Sequence, residues 1–434
     1  MNTRTRLFGT RKGHRRPGRI WLMTQWFSPE PIPIPQNLTE SLQGAGLDVE
    51  VISGYPNYPA GTLYRGYSSR WFSSENVDGV VVHRCPLYAS HGKTVLGRFL
   101  NYSSWALTAT LSSLKRVRRR DVVLVYSSPA TAAFPAMMCR VLLGTRYVLL
   151  IQDMWPDAVL ATGFLNRPSA RRLARAMIEP FVRLSYSLAS HIAVISPGMT
   201  DVLVERGVPR RKITLTYNWV DEDIYYPQPA SSNFREANGI DDDVFLAMYA
   251  GNLGPAQALD QVVRAVGQLH DEANVVFALV GSGVSEVELR NLAEDVAPGR
   301  VLFVPPVASS EICAIMSSAD IQVIALKNEP AFAHTMPSKV QSIMACGLPV
   351  IASATGDLRG VIEASGAGWV ATSGDIHELE ECLRLASAAS KDELRRRGQL
   401  GRKFYEQTMS RAANEWRLVD LLEGVARTPI RGAW

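Results

Sequence analysis

The stretch Thr335–Ser353, TMPSKVQSIMACGLPVIAS, is the most specific in the chain. Pro337, Ser338 and Lys339 stand at the start of a helical pattern that stops at Gly347. Pro349 follows, then the apolar run VIAS, which reads as a buried strand. A lysine at a helix start faces the positive end of the peptide dipoles, which is unfavourable unless an anion is present. Lys339 is therefore either a surface lysine or an anion ligand.

Outward from this stretch the same pattern repeats. Strand-like runs fall at 244–251, 274–281, 300–305, 320–325, 349–353 and 368–371, and in the first half at 20–26, 48–53, 79–84, 121–126, 146–151, 190–196 and 212–217. Most are near-continuous apolar runs, as expected of strands covered on both faces in a parallel sheet. The segments between them are long enough for helical crossovers. Residues 217–233, YNWVDEDIYYPQPASSN, are rich in Pro, Asp and Ser and read as a linker, and residues 402–425 are helical by pattern. The expectation is an α/β protein of two doubly wound domains, with its active site in the cleft between them, beyond the carboxyl ends of the strands.

Composition agrees. The 434 residues suit two or three domains, and 47% hydrophobic with 20% charged residues excludes a wholly disordered chain. Five scattered cysteines, with no C-x-x-C pair, exclude a disulfide framework and predict a reducing cytoplasm.

Two glycine turns lie at strand ends. Gly281-Ser282-Gly283 opens a helical segment, and Gly251-Asn252-Leu253-Gly254 precedes a helix from about Ala258. Such turns let a phosphate approach backbone N–H groups at a helix start. The dinucleotide fingerprint fails at Glu286, and a tight βα turn with no ligand is the competing reading. Two such turns in one domain favour nucleotide binding.

These motifs together, YAGNLG, VGSG, PSK-x7-G-x-PV and a C-terminal helix, resemble family 4 of the glycosyltransferases, of GT-B fold. In the first half WFSPE, SGYPNYPAG followed by YRGY, IQDMWPD and AVISPGMTDVLVERGVP leading to YNW resemble the bacterial subgroup of WbuB type, which builds O-antigen, capsule or exopolysaccharide. The resemblance spans about 20–422. It implies two Rossmann-like domains facing across a cleft and a C-terminal helix returning to the N-terminal domain. The implied layout is a basic disordered tail (1–18), an acceptor domain (19–217), a linker (218–235), a nucleotide-sugar domain (236–405) and a returning helix with tail (406–434). It implies a retaining transferase that uses a nucleotide-sugar as co-substrate, with no other cofactor and no metal. Basic side chains and backbone dipoles would neutralise the leaving diphosphate.

Carried over residue by residue, the resemblance places donor contacts at Gly251, Asn252, Leu253, Gln257, Gly281, Gly283, Pro305, Pro337, Ser338, Lys339 and Ser342. Acceptor contacts fall at Glu30, Pro31, Asn57 and Tyr58, and catalytic positions at Gln152, Asp153 and His334. The chain departs from the family in four places. The basic pair on the diphosphate falls at the neutral Asn252 and Gln257. The E-x7-E carboxylates fall at His334 and Ser342, and the N-terminal histidine falls at Gln152. The glycine-rich acceptor loop is EPIPIPQN, in which Pro31, Pro33 and Pro35 remove backbone donors. Asp153, just past a predicted strand, is read as lining the acceptor site with Gln152 orienting the donor sugar; a helix N-cap is the competing role.

The net charge of +5 hides an asymmetry. Residues 1–215 carry 28 Lys and Arg against 12 Asp and Glu; residues 216–434 carry 18 against 29. A basic half suits an anionic membrane or a phosphorylated acceptor. KRVRRR (115–120) follows the uncharged 16-residue segment Phe99–Leu114, which is too short to span a bilayer. A second segment, 169–188, sets Leu173, Met177, Phe181, Leu184 and Leu188 at helical spacing beside Arg171, Arg172, Arg175 and Arg183. The expected partners are a nucleotide-sugar, a lipid-linked or saccharide acceptor and an anionic membrane surface, with the enzyme peripheral on its cytoplasmic face. No nucleic-acid module is present. Two other readings stay open: a nucleotide-sugar epimerase, and a non-catalytic homologue serving as the partner of a true transferase.

Overall fold

The computed structural model describes residues 18–68, 71–90, 95–161, 167–231, 233–269 and 274–428; most of the basic tail expected at 1–18 lies outside them. The chain divides into two compact units, 1–216 with 415–434, and 217–414.

The first unit is built on an eight-stranded sheet. Its elements run β1 (Ile20–Met23), α1 (Pro33–Gly44), β2 (Val49–Gly54), β3 (Ser73–Val77), β4 (Val80–Cys85), α2 (Val95–Arg116), β5 (Val122–Ser127), α3 (Ala133–Leu143), β6 (Arg146–Ile151), α4 (Asp157–Ala161), α5 (Pro168–Leu188), β7 (His191–Val194), α6 (Pro197–Glu205) and β8 (Ile213–Leu215). The strand order is β3-β4-β2-β1-β5-β6-β7-β8. Seven strands are parallel, and β5 and the last five residues of β6 are fully buried, as their apolar runs require. β3 has no counterpart among the expected strands. Its sequence, SSENV, is polar, it is partly exposed, and it pairs antiparallel at the sheet edge.

The second unit holds α7 (Phe234–Ala237), β9 (Phe245–Ala250), α8 (Leu259–Gln268), β10 (Val275–Val280), α9 (Glu286–Val296), β11 (Val301–Val304), α10 (Ile312–Met316), β12 (Ile321–Ala325), α11 (Ser338–Ala345), β13 (Val350–Ser353), α12 (Gly356–Ser365), β14 (Gly368–Ala371), α13 (Ile376–Ser387) and α14 (Lys391–Phe404). All its strands are parallel, in the order β11-β10-β9-β12-β13-β14. A core of Tyr249, Val262, Phe277, Leu279, Val323 and Leu383 fills one side of this sheet.

Both sheets reverse their winding beside the first strand laid down, between β1 and β5 and between β9 and β12. Ligands of open α/β sheets bind beyond the carboxyl ends of strands at such points. After α14 the chain makes one π turn (Tyr405–Met409) and continues as α15 (Arg411–Arg427), whose residues from Glu415 belong to the first unit. Arg146 of β6 fastens its end by donating to the carbonyls of Val425, Ala426 and Thr428 at 2.6–2.9 Å.

The stretch read as a linker is anchored rather than free. Tyr217, Trp219 and Val220 are buried. The Glu222 carboxylate accepts from the Tyr405 hydroxyl at 2.9 Å and the Arg411 N–H at 2.8 Å, and Asn414 accepts from the Tyr217 N–H at 3.0 Å.

Candidate active site

In the second unit the two glycine turns lock together. Gly251 and Gly281 both take φ of +141°, a conformation side-chain-bearing residues rarely adopt. A Cβ on Gly281 would stand 2.0 Å from the Gly251 carbonyl oxygen, and one on Gly283 would stand 2.3 Å from that of Leu253. Leu253 donates its N–H to Ser282 at 2.9 Å while its side chain lies in the core. Leu253 therefore shapes the turn from behind rather than touching a ligand with its side chain.

Lys339 enters from α11, on the other side of the switch point. Its ammonium lies 4.9 Å from the centre of the Tyr249 ring, and a Cβ on Gly251 would meet its Nζ at 2.6 Å. The bare glycine is what lets the lysine reach the end of β9. No carboxylate pairs with Lys339 among the described residues, and burial lowers its pKa to about 8. A desolvated cation without a counter-charge, at the start of a helix, is an arrangement that an anion completes.

Lys339 lines a cavity of about 230 Å³ together with Gly251, Ser338, Ser342, Tyr225, Ile312, Met316 and Gln322. Of the residues expected from sequence, Gly251, Ser338, Lys339 and Ser342 meet here. Asn252 is exposed beside its turn, and Pro305 is exposed past β11; neither lines the cavity. Gln257 lies in the short turn before α8, its Oε1 buried without a hydrogen bond. Pro337 caps α11 without a side-chain bond. The loop with His334 is clasped by α12: Asp357 N–H donates to the Ala333 carbonyl at 2.8 Å, and Gly356, at φ +64°, has no room for a Cβ against that carbonyl. Tyr225, Ile312, Met316 and Gln322 were not expected. Tyr225 lay within the supposed linker, and the other three are core-like in sequence.

The first unit gathers a second group at its own switch point. Asp153, just past β6, is open to solvent; its Oδ2 accepts from the Ser128 hydroxyl, beyond β5, at 2.9 Å. Among the described residues Asp153 caps no helix through its side chain; α4 starts at Asp157, which pairs with Arg175 at 2.9 Å and with Arg206. Gln152 beside it is buried. Tyr102 feels the Asp153 charge and belongs to a run of aromatic rings that sequence did not single out together: Trp26 and Tyr58 with centroids 5.4 Å apart, Trp26 and Tyr102 at 6.3 Å, Tyr102 and Trp155 at 6.5 Å.

Two of the expected acceptor contacts are corrected. Glu30 is buried and accepts from the backbone N–H groups of Asn57, Tyr58 and Phe27 at 2.8–3.1 Å. Asn57 is fully buried, donating to the Tyr55 carbonyl at 2.9 Å and accepting from Asn101 at 3.2 Å. Both hold loops together from within, their polar groups already engaged. Tyr58 is half-buried and presents its ring. Pro31 is exposed, and Pro33 and Pro35 fall in the first turn of α1, where the missing N–H groups have no intrahelical partner to lose.

With this geometry in place, comparison with known proteins is decisive. The profile of the "Glycosyl transferase 4-like domain" matches residues 33–219, and that of "Glycosyl transferases group 1" matches 231–404. The chain belongs to the family 4 glycosyltransferases. Escherichia coli (strain K12) WcaI, whose name assigns it as a glycosyl transferase to colanic acid biosynthesis, is 27% identical over 314 residues, 71% of this chain and 76% of WcaI. Among solved structures, sucrose-phosphate synthase from Thermosynechococcus elongatus superposes with a TM-score of 0.71 at 18% identity, over 95% of this glycosyltransferase and 99% of that chain. Anabaena HepE, solved in complex with UDP, gives 0.64 at 15% identity, over 94% and 100%. The fold of this glycosyltransferase is GT-B.

Proposed function

We propose that the protein transfers a sugar, with retention of configuration, from a nucleotide-sugar held by the second unit to a saccharide acceptor carried on a lipid diphosphate, in the synthesis of a cell-surface polysaccharide. The observation that carries this reading is Lys339: desolvated, without a carboxylate partner among the described residues, and facing the bare Gly251 at the switch point. HepE, of the same fold, was solved with UDP, and WcaI is named for polysaccharide synthesis. As the glycosidic bond breaks, negative charge grows on the leaving diphosphate; Lys339 and the first N–H groups of α11 stabilise it. The acceptor hydroxyl is held beside Asp153, and the leaving phosphate oxygen takes its proton.

The test is a thermal-shift panel of UDP-, GDP-, ADP- and dTDP-sugars, followed by nucleotide release in the presence of lipid acceptor. One nucleotide should stabilise the protein and its sugar should turn over. His334 and Ser342, at positions where the family carries carboxylates, favour a second reading, a non-catalytic homologue. Binding with no release would establish it.

Asp153→Asn preserves shape and the Ser128 hydrogen bond while removing charge. Turnover should fall at least tenfold with the melting temperature nearly unchanged. Near-wild-type turnover, or a loss that tracks unfolding, would return Asp153 to a scaffolding role.

The same proposal sets the enzyme on an anionic membrane surface through the first unit. No helix among the described residues is long and apolar enough to cross a membrane. Instead, apolar side chains stand in solvent: Leu96, Phe99, Leu100, Leu107 and Leu111 on α2, and Leu173, Met177 and Leu184 on α5. Leu96, Leu100, Leu107 and Leu111 form one stripe, with Trp105 and Ala109 buried on the opposite side of the helix. Lys115 and Arg116 end α2, and Arg171, Arg172, Arg175 and Arg183 lie along α5. Each such cation contributes about 1 kcal/mol at an anionic surface. Vesicle co-sedimentation should require anionic lipid, weaken in high salt, and fall about tenfold or more in Leu107→Glu/Leu111→Glu. Equal binding to neutral vesicles would exclude this mode.

A further inference from the structure

All five cysteines are buried and unbonded, but two are not isolated. The Sγ atoms of Cys313 in α10 and Cys346 at the end of α11 lie 2.6 Å apart. That separation is about half an ångström longer than a covalent S–S bond. The two residues are 33 apart in sequence, so the contact is made by the fold. The Cys346 thiol donates to Cys313, whose own thiol donates to the Tyr226 carbonyl at 2.9 Å. Cys85, Cys139 and Cys382 have no thiol neighbour among the described residues.

The pair lies behind the walls of the 230 Å³ cavity. α10 contributes Ile312 and Met316, on either side of Cys313 in sequence; α11 contributes Ser338, Lys339 and Ser342; Tyr225 precedes the carbonyl that holds Cys313. A bond between the thiols ties α10 to α11 and removes the S–H that Cys313 donates to the Tyr226 carbonyl, so it alters all three walls.

We propose that Cys313 and Cys346 form a reversible disulfide that fixes α10 against α11 and so sets the affinity of the cavity for nucleotide. The second clause rests on the donor reading given above. The oxidant is a peroxide. The Cys313 thiolate attacks the O–O bond, giving a sulfenic acid and, after protonation, one water. The Cys346 sulfur then displaces the sulfenic oxygen, which leaves with the Cys346 proton as a second water. Two thiols and one hydrogen peroxide become one disulfide and two waters. A dithiol reductant reverses it. The hydrogen bond from Cys346 eases loss of the Cys313 proton and raises the pKa of Cys346, which makes Cys313 the attacking sulfur.

The experiment treats the full chain with hydrogen peroxide under native conditions, digests it without reduction and reads the peptides by mass spectrometry. A Cys313–Cys346 cross-link should form, with Cys85, Cys139 and Cys382 remaining thiols. The melting temperature should rise by about 5 °C or more and return with dithiothreitol. UDP affinity should differ at least threefold between the two forms, a difference absent in Cys313→Ala/Cys346→Ala. Absence of the cross-link in the folded wild type, or formation only after denaturation, overturns the proposal. Equal UDP affinity in the two verified forms overturns the control of the cavity. If neither form binds any nucleotide, the donor reading fails, while the cross-link and melting shift still decide the disulfide.

Discussion

Replacing Lys339 with methionine should raise the melting temperature of the nucleotide-free protein and, in the same variant, weaken nucleotide-sugar binding by tenfold or more. The two effects have one cause. Burial lowers the Lys339 pKa to about 8 in the folded chain, against about 10.4 for an exposed lysine. Below pH 8 the charge is present in both states, and the folded protein bears the full desolvation cost, at most about 3 kcal/mol. Between pH 8 and 10.4 the unfolded chain binds more protons, so stability rises with pH across that window; above it the cost is gone. Methionine keeps the volume and removes the charge, so its melting temperature should show no such rise. Binding runs the other way. A diphosphate diester, which does not itself titrate here, restores the lysine's proton, so affinity should fall about tenfold from pH 8 to 10 with proton uptake in calorimetry. Methionine giving unchanged affinity would remove Lys339 from the donor site.

Gly281→Ala should cost on the order of 3 kcal/mol or more and abolish nucleotide binding. The new methyl would meet the Gly251 carbonyl oxygen at 2.0 Å while holding a φ of +141°. Relief requires moving the end of β9, and with it the opening that Lys339 enters. Gly360→Ala supplies the comparison: it lies within α12, its Cβ meets nothing within 4 Å, and alanine there should be neutral or slightly stabilising. Melting curves of the two variants separate backbone strain from a general intolerance of substitution. A Gly281→Ala protein that melts and binds as the wild type would mean the two turns are looser than their interlock implies.

The strands were legible wherever burial on both faces left an apolar run, as in Val275–Val280 and Val122–Ser127. β3 was not, because an exposed antiparallel edge strand needs no apolar residues. The donor side of the site was legible at Gly251, Ser338, Lys339 and Ser342, whose chemistry is local to a turn or a helix start. Tyr225 was not, since its place in the cavity depends on anchoring of a segment that reads as linker. Motifs located the loops at Glu30 and Asn57 but could not tell a side chain facing out from one facing in. In both cases the backbone N–H groups and amides of neighbouring loops claim the polar atoms. The Cys313–Cys346 contact depends wholly on tertiary structure.

The way Arg146 grips the end of α15 bears on how the protein is made. The first unit is interrupted: residues 217–414 are inserted between its eighth strand and the helix that completes it. On the ribosome, every strand of the first sheet emerges early, yet the carbonyls of Val425, Ala426 and Thr428 reach Arg146 only after the whole second unit has been synthesised. The nascent first unit therefore waits, with the docking surface for α15 uncovered, for roughly 200 residues of further translation, some 10 to 40 s at ordinary elongation rates.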